Sequence, residues 1–323
     1  MLVFLHYLRA LAAIMVVMDH VPNKAVPGSI DWYIIHILKD FSISAVPIFL
    51  MASGLLLLNP QKQFNLKEFY KKRLLRIGPA IIFWTFALVR LPYVAIKVYP
   101  GTKQLFIDIF HGRPVTHLWY LYMIVSLYFF TPFFRKVIKN CSKQELVLLT
   151  VSINIFILIK VAIGVPPGFF LFEFLDYIGY FFLGYLLFQY MESQHIKHRW
   201  ALLSVLIISL SVVTMLGVNN IDILLLSRFR LSLPVVLISG SLFVFFMSYE
   251  HAFKKSNIIK TIDGLGLGIY IIHPVFVKFF LFTYPVVKVD SVGKFLLITA
   301  GGWFLALLSA FIIRKIPYFR TTV

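Results

Sequence analysis

Residues 3–22 read VFLHYLRALAAIMVVMDHVP, an apolar stretch that carries an arginine, an aspartate and two histidines. A hydrocarbon core about 30 Å thick is crossed by about 20 residues of helix, so this stretch has the length of a membrane span. Nine further windows of that kind follow, at approximately 41–59, 77–97, 117–134, 145–164, 169–189, 200–218, 231–249, 264–283 and 293–313. The composition agrees. Of the 323 residues 60% are hydrophobic, 17% aromatic and only 14% charged, against roughly 45–50% apolar and 25% charged in soluble proteins. A mean hydropathy of +0.88 is more than a soluble core can absorb without exposing large apolar patches. The expected fold is all-α, a polytopic integral membrane helical bundle of about ten transmembrane helices. It forms a single domain over 1–323, with no soluble domain appended.

The formal charge of +18, from 31 Lys and Arg against 13 Asp and Glu, would suggest nucleic acid in a soluble chain. Here topology explains it, because cationic short loops stay in the cytoplasm. The segments 60–76, 135–144, 190–199, 250–262 and 314–323 hold 18 Lys and Arg, and the alternate set 23–40, 98–116, 165–168, 219–230 and 284–292 holds 7. Both termini are therefore expected in the cytoplasm, and no nucleic-acid partner is expected. After Met18 the chain continues Asp19-His20-Val21-Pro22 with no small-x-small cleavage site, so the first span is expected to remain as an anchor. The lone Cys141 cannot make an internal disulfide.

Ionisable side chains inside a span are costly and need a partner or a task. Arg9 and His20 are eleven residues apart, which returns to within about 20° of one helix face with about 16.5 Å of rise between them. They predict one internal path with Arg9 in the cytoplasmic half and His20 near the outer surface, which suits a long anionic ligand from the cytosol. The alternative is that Arg9 snorkels or pairs with Glu173 or Asp176, while His20 caps a helix end. Lys72, Arg73 and Arg76, in the loop after the second span, recur at helical spacing before Pro79. They read either as a phosphate grip or as an anchor at lipid head groups. His117-Leu118-Trp119-Tyr120-Leu121 at the head of the fourth span reads either as an aromatic belt or as a sugar-stacking platform. In Gly264-Leu265-Gly266-Leu267-Gly268-Ile269-Tyr270-Ile271-Ile272-His273-Pro274 the glycines suit close helix packing, and His273 is a site candidate or a satisfied core histidine. No metal-ligand spacing, Gly-x-Ser-x-Gly elbow or Walker loop is present.

Together these segments resemble the acyltransferase 3 family of integral membrane acyltransferases. The resemblance rests on Tyr7-Leu8-Arg9-Ala10-Leu11-Ala12 with His20 eleven residues after the arginine, on Val46-Pro47-Ile48-Phe49 to Ser53-Gly54, and on Lys72-Arg73-x-x-Arg76-x-x-Pro79. It continues through His117-Leu118-Trp119-Tyr120-Leu121, Phe182-Leu183-Gly184-Tyr185 and Gly268 to Pro274. Within the family the chain is similar to compact surface-polysaccharide O-acetyltransferases of the enterobacterial common antigen type, and Asp19 beside His20 departs from the pattern.

The resemblance implies a multi-pass protein of the bacterial inner membrane that moves an acyl group, usually acetyl, from cytoplasmic acyl-CoA to a hydroxyl of a surface glycan or lipid-linked saccharide. Acetyl-CoA is then a donor substrate, no resident cofactor or metal is expected, and membrane lipid surrounds the chain. His20 and Arg9 take the catalytic positions, with His20 as base or transient acyl carrier. Lys72, Arg73 and Arg76 hold the CoA phosphates, and His117, Trp119, Tyr120 and His273 bind substrate. The competing function is a glycan exporter of the same fold that consumes no thioester. A non-catalytic partner of a glycan-synthesis complex is disfavoured by the intact Arg9 and His20 pair.

Overall fold

The computed structural model describes residues 2–96, 101–111, 116–162, 170–191, 199–219, 230–283 and 289–323. The helices are α1 (Val3–His20), α2 (Ile30–Ser42), α3 (Ala45–Leu57), α4 (Leu66–Ile96), α5 (Thr102–Phe110), α6 (Trp119–Asn140), α7 (Lys143–Ala162), α8 (Phe170–Tyr190), α9 (Arg199–Val218), α10 (Leu233–Ser248), α11 (Asn257–Gly264), α12 (Gly266–Thr283) and α13 (Val292–Lys315). No strand occurs among the described residues. Each of the ten apolar windows overlaps a helix, with 41–59 taking in the end of α2 as well as α3 and 264–283 the end of α11 as well as α12. Among the described residues four segments are long and apolar enough to cross a membrane: α1, the α2–α3 pair, α6 and α13. The pair α11–α12, bent by 67°, makes a fifth, and α8, α9 and α10 carry shorter apolar stretches. The fold is helical and membrane-embedded.

Three connections differ from the sequence reading. The segment 23–40 contains most of α2, and 98–116 contains α5. The basic stretch at 66–76 is the first part of α4 and not a loop, so Lys72, Arg73 and Arg76 project from a helix. Lys72 and Arg73 each stand about one turn before Arg76, about 40° and about 60° from it, and are turned by about 100° from each other.

Helix ends have free N–H and C=O groups that lipid cannot satisfy. The chain supplies partners itself. The Glu250 carboxylate accepts the Val3 and Phe4 amides at 2.9 and 2.6 Å, closing the start of α1, where negative charge is also favoured by the helix dipole. Ser29, Ser256 and Ser291 cap α2, α11 and α13, and Asp31 accepts the Val292 amide at 2.7 Å. At the other ends the Lys39 ammonium donates to the Asp19 and Val21 carbonyls behind α1, both at 2.7 Å. Arg135, buried on α6, donates to the Leu57 carbonyl at 2.8 Å and to Lys62 O at 2.7 Å, closing α3.

These bonds also sort the connections into two sides. Residues of 250–262 meet the start of α1, and the segment 60–76 meets Arg135, all within the cation-rich set. On the opposite side Lys24 N bonds to Val289 O at 3.0 Å, Asp31 meets Val292 and Arg230 meets Asp19 at 2.6 Å.

The tightest crossing joins α3 to α8. A Cβ on Gly54 would fall on the Phe181 carbonyl, and one on Gly184 would fall on the Met51 backbone. The two glycines therefore face each other's helix across one backbone contact, as small residues do where helices pack in lipid. They belong to the separate segments Ser53-Gly54 and Phe182-Leu183-Gly184-Tyr185. Gly268 does the same work between α12 and α13, where a Cβ would lie 2.7 Å from Ala310 Cβ. We expect Gly54→Ala or Gly184→Ala to lower stability by about 1–3 kcal/mol, the usual range for overpacking. Gly240→Ala, with open space around the added methyl, should be neutral or slightly stabilising. Thermal unfolding of the three variants in detergent reads this directly, and equal melting of Gly54→Ala and wild type would show that the crossing can relax.

Candidate active site

α1 holds Arg9 on its middle turns and His20 at its last residue, and each faces a different constellation. Arg9 lines a cavity of about 710 Å³ between α1, α3, α4, α6, α11, α12 and the end of α13. Five cations line it, Arg9, Arg73, Arg76, Lys260 and Arg314, against Asp263 alone among the described acids. The Asp263 carboxylate is shared. It accepts from Arg9 at 2.5 Å and lies 2.6 Å from His6 Nδ1, three residues earlier on the same face of α1. One carboxylate thus compensates part of the local charge and leaves the cavity cationic.

Arg73 is held by aromatic faces. Its guanidinium lies 5.4 Å from the Phe69 ring and 5.1 Å from the Tyr128 ring, a cation–π arrangement that leaves its N–H edge free for another acceptor. The buried Nε atoms of Arg9 and Arg73 have no hydrogen-bond partner among the described residues. Such donors suit an anionic oxygen, because a guanidinium fork matches carboxylate and phosphate geometry. Arg314 reaches the cavity where α11 breaks into α12, and its Nη1 would stand 3.1 Å from a Cβ on Gly264. Glycine there leaves room for the guanidinium.

The other constellation contains three imidazoles. The His20 and His273 rings are 4.8 Å apart, and those of His117 and His273 5.9 Å. Each ring spends one nitrogen on a backbone carbonyl: His20 Nδ1 on Val16 O at 2.8 Å, His273 Nδ1 on Ile269 O at 3.1 Å and His117 Nε2 on Ile271 O at 3.1 Å. A carbonyl only accepts, so the bonded nitrogen carries the proton and the opposite one holds the lone pair in the neutral ring. For His20 that lone pair is on Nε2. His273 is fully buried, and its Nε2 has no partner among the described residues. No group of three or more His, Cys, Asp or Glu among the described residues is arranged to hold a metal ion.

Tyr270 joins the two constellations. It lines the cationic cavity, its ring is 5.4 Å from that of Tyr120, and its hydroxyl donates to the His117 carbonyl. Tyr120 lines the same cavity. Trp119 does not. It packs 5.2 Å from Tyr177 under the Arg230 guanidinium, 5.7 Å away.

Of the residues picked from the sequence, Arg9, Arg73, Arg76 and Tyr120 meet in one cavity, and His20, His117 and His273 meet in one cluster. Lys72 joins neither: it is exposed and lies 3.6 Å from Glu68 one turn back. The pairing of Arg9 is with Asp263. Asp176 pairs with Lys160 at 2.5 Å, and the Glu173 side chain falls outside the described residues. Asp19, beside His20, is taken by Arg230 at 2.6 Å.

Sequence reasoning missed His6, Lys260, Asp263, Arg314, Arg230 and Tyr270. His6 was accessible to a helix-face argument from Arg9. Lys260, Arg230 and Arg314 were counted only as loop or tail charge, and nothing local marks Asp263.

The chain matches the sequence model of the acyltransferase 3 family, described as an acyltransferase domain, over residues 2–315. No curated protein and no solved structure matches it. The match covers nearly the whole helical chain, including every residue of the cavity and of the histidine cluster, and the protein belongs to the acyltransferase 3 family of membrane acyltransferases.

Proposed function

We propose that the protein is a multi-pass O-acyltransferase of the inner membrane, with about ten spans and both termini in the cytoplasm. It moves an acyl group, acetyl first among candidates, from cytoplasmic acyl-CoA to a hydroxyl of a surface glycan or lipid-linked saccharide. The observation that carries this reading is the cavity that gathers Arg9, Arg73, Arg76, Lys260 and Arg314 around a single carboxylate. A phosphorylated donor supplies the negative charge that such a cavity lacks. The cavity draws its lining from the cation-rich connections, so the donor enters from the side assigned to the cytoplasm.

On this reading Arg73, Arg76, Lys260 and Arg314 hold the donor phosphates. Arg9, held by Asp263, guides the donor arm along α1. About 16.5 Å of helical rise separates Arg9 from His20, on the order of the length of a pantetheine arm, which supports a thioester held near the histidine cluster. There the acceptor hydroxyl attacks the thioester carbonyl, the carbon–sulfur bond breaks, and the hydroxyl proton passes to His20 Nε2 and on to the departing thiolate. In the two-step variant Nε2 attacks the carbonyl first and the carbon–sulfur bond breaks with loss of the CoA thiolate; the acceptor hydroxyl then attacks the acyl-imidazole, the carbon–nitrogen bond breaks, and the hydroxyl proton passes to the thiolate. Either route uses the same nitrogen, because Nδ1 is engaged by Val16 O. His117 and His273 lie at the acceptor end, with Trp119 under Arg230, and Tyr120 contacts the donor in the cationic cavity.

Protein in nanodiscs, given acetyl-CoA with and without lipid-linked glycan extract, should release free CoA in an acceptor-dependent manner. His20→Ala should lose that release while inserting and melting normally; retained turnover would remove its role. Several acceptor extracts without any release, from folded protein, would point instead to glycan export. The geometry also separates the basic residues of α4. Arg73→Ala with Arg76→Ala should raise the KM for acyl-CoA by about tenfold to a hundredfold, and Lys72→Gln, outside the cavity, should leave it unchanged. Equal donor kinetics in all three would return the α4 cations to a topological role.

A further inference from the structure

A second cavity, of about 460 Å³, lies between the start of α4 and the end of α6 and shares no lining residue with the first. Its cations are Lys62, Arg135, Lys136 and Lys139, and no acid lines it among the described residues. The transferase reading uses none of them.

The walls of this cavity are fixed before any ligand arrives. Arg135 spends both terminal nitrogens on the Leu57 and Lys62 carbonyls, and its guanidinium covers the Phe64 ring at 4.7 Å. It builds the wall and leaves the grip to the three lysines. Across the hollow the Tyr70 hydroxyl donates to Phe129 O at 2.8 Å, tying α4 to α6. Lys62, Lys136 and Lys139 are exposed and make no ion pair among the described residues.

The approach to the cavity is apolar. On α6, Phe129 and Phe133 are 57% and 53% exposed, and in a membrane-embedded helix such faces meet lipid. Phe129, Phe133 and Lys136 follow at spacings of four and three and so share one side, with Lys139 three residues further. A hydrocarbon-facing stripe therefore runs directly into a cationic hollow. Lysines that merely snorkel to the interface need no such hollow. Here three converge on one cavity whose volume falls in the range of small-molecule sites.

We propose that this cavity binds the headgroup of an anionic phospholipid, with its phosphate among Lys62, Lys136 and Lys139 and its acyl chains along Phe129 and Phe133. The inference needs only the membrane setting and stands apart from the transferase reading. Basic pockets at the ends of membrane helices are suited to such headgroups, and occupancy would brace the start of α4 against the end of α6.

The test is native mass spectrometry of the full chain in detergent, titrated separately with phosphatidylglycerol, phosphatidylcholine and inorganic phosphate. The Lys136→Gln/Lys139→Gln variant is compared with wild type and with Lys254→Gln/Lys255→Gln, which removes the same charge from a distant exposed pair. Wild type should retain one phosphatidylglycerol in preference to phosphatidylcholine and should not retain phosphate. Lys136→Gln/Lys139→Gln should bind phosphatidylglycerol about thirtyfold more weakly, and Lys254→Gln/Lys255→Gln should match wild type. Equal weakening in both variants would make the effect general electrostatics and overturn the site, as would unchanged binding in the first variant. Phosphate retained as tightly as the lipid would also overturn it. All four lysines are exposed, and matched melting temperatures confirm that the variants compare folded proteins.

Discussion

A charge inside a helical bundle in lipid must find its partner within the chain, and the site is organised around how incompletely that is done. Asp263 serves both Arg9 and His6, which settles the charge buried on α1. The remaining cations of the cavity have no acid left to share among the described residues. Polar groups elsewhere are closed off by Glu250, Lys39 and Arg135, each spanning between segments distant in sequence. The contrast marks the cavity: those polar groups find partners within the chain, and this region keeps cations with no described acid left to share.

The helix inventory was legible because lipid imposes a length and a composition that few other environments impose. All ten windows fall on helices. Legibility ended where helices extend beyond the apolar stretch. Leu66 to Arg76 is too cationic to register as part of a span, yet it continues α4 without a break, and α2 was hidden within a connection. The hydrogen bonds at the helix ends group the connections into the same two sets that the cation counts distinguish.

The site was legible in proportion to how much of it lies on one helix. Arg9 and His20 could be paired by angle and rise alone. Arg73 and Arg76, one turn apart, carried their own signal, but Lys72 is also one turn from Arg76, and only its exposed pairing with Glu68 outside the cavity separates it from them. Asp263, Lys260 and Arg314 are brought to Arg9 from more than 250 residues away in sequence, and no local pattern announces that. The motif glycines showed a similar limit. Gly54 and Gly184 were noticed as separate segments, and only the packed structure makes them two halves of one contact.

That contact has a mechanical consequence. With backbone against backbone at two points, α3 and α8 have little freedom to slide or separate, and they behave as one stiff beam. α3 is also a wall of the cationic cavity, through Val46, Phe49, Ser53, Leu56 and Leu57. The wall facing it includes α11, a two-turn helix that meets α12 at a 67° elbow flanked by glycines. The cavity thus sets a wall anchored on the α3 side against an elbow at Gly264-Leu265-Gly266 whose middle residue is fully buried, and Arg314 and Asp263 stand beside that elbow.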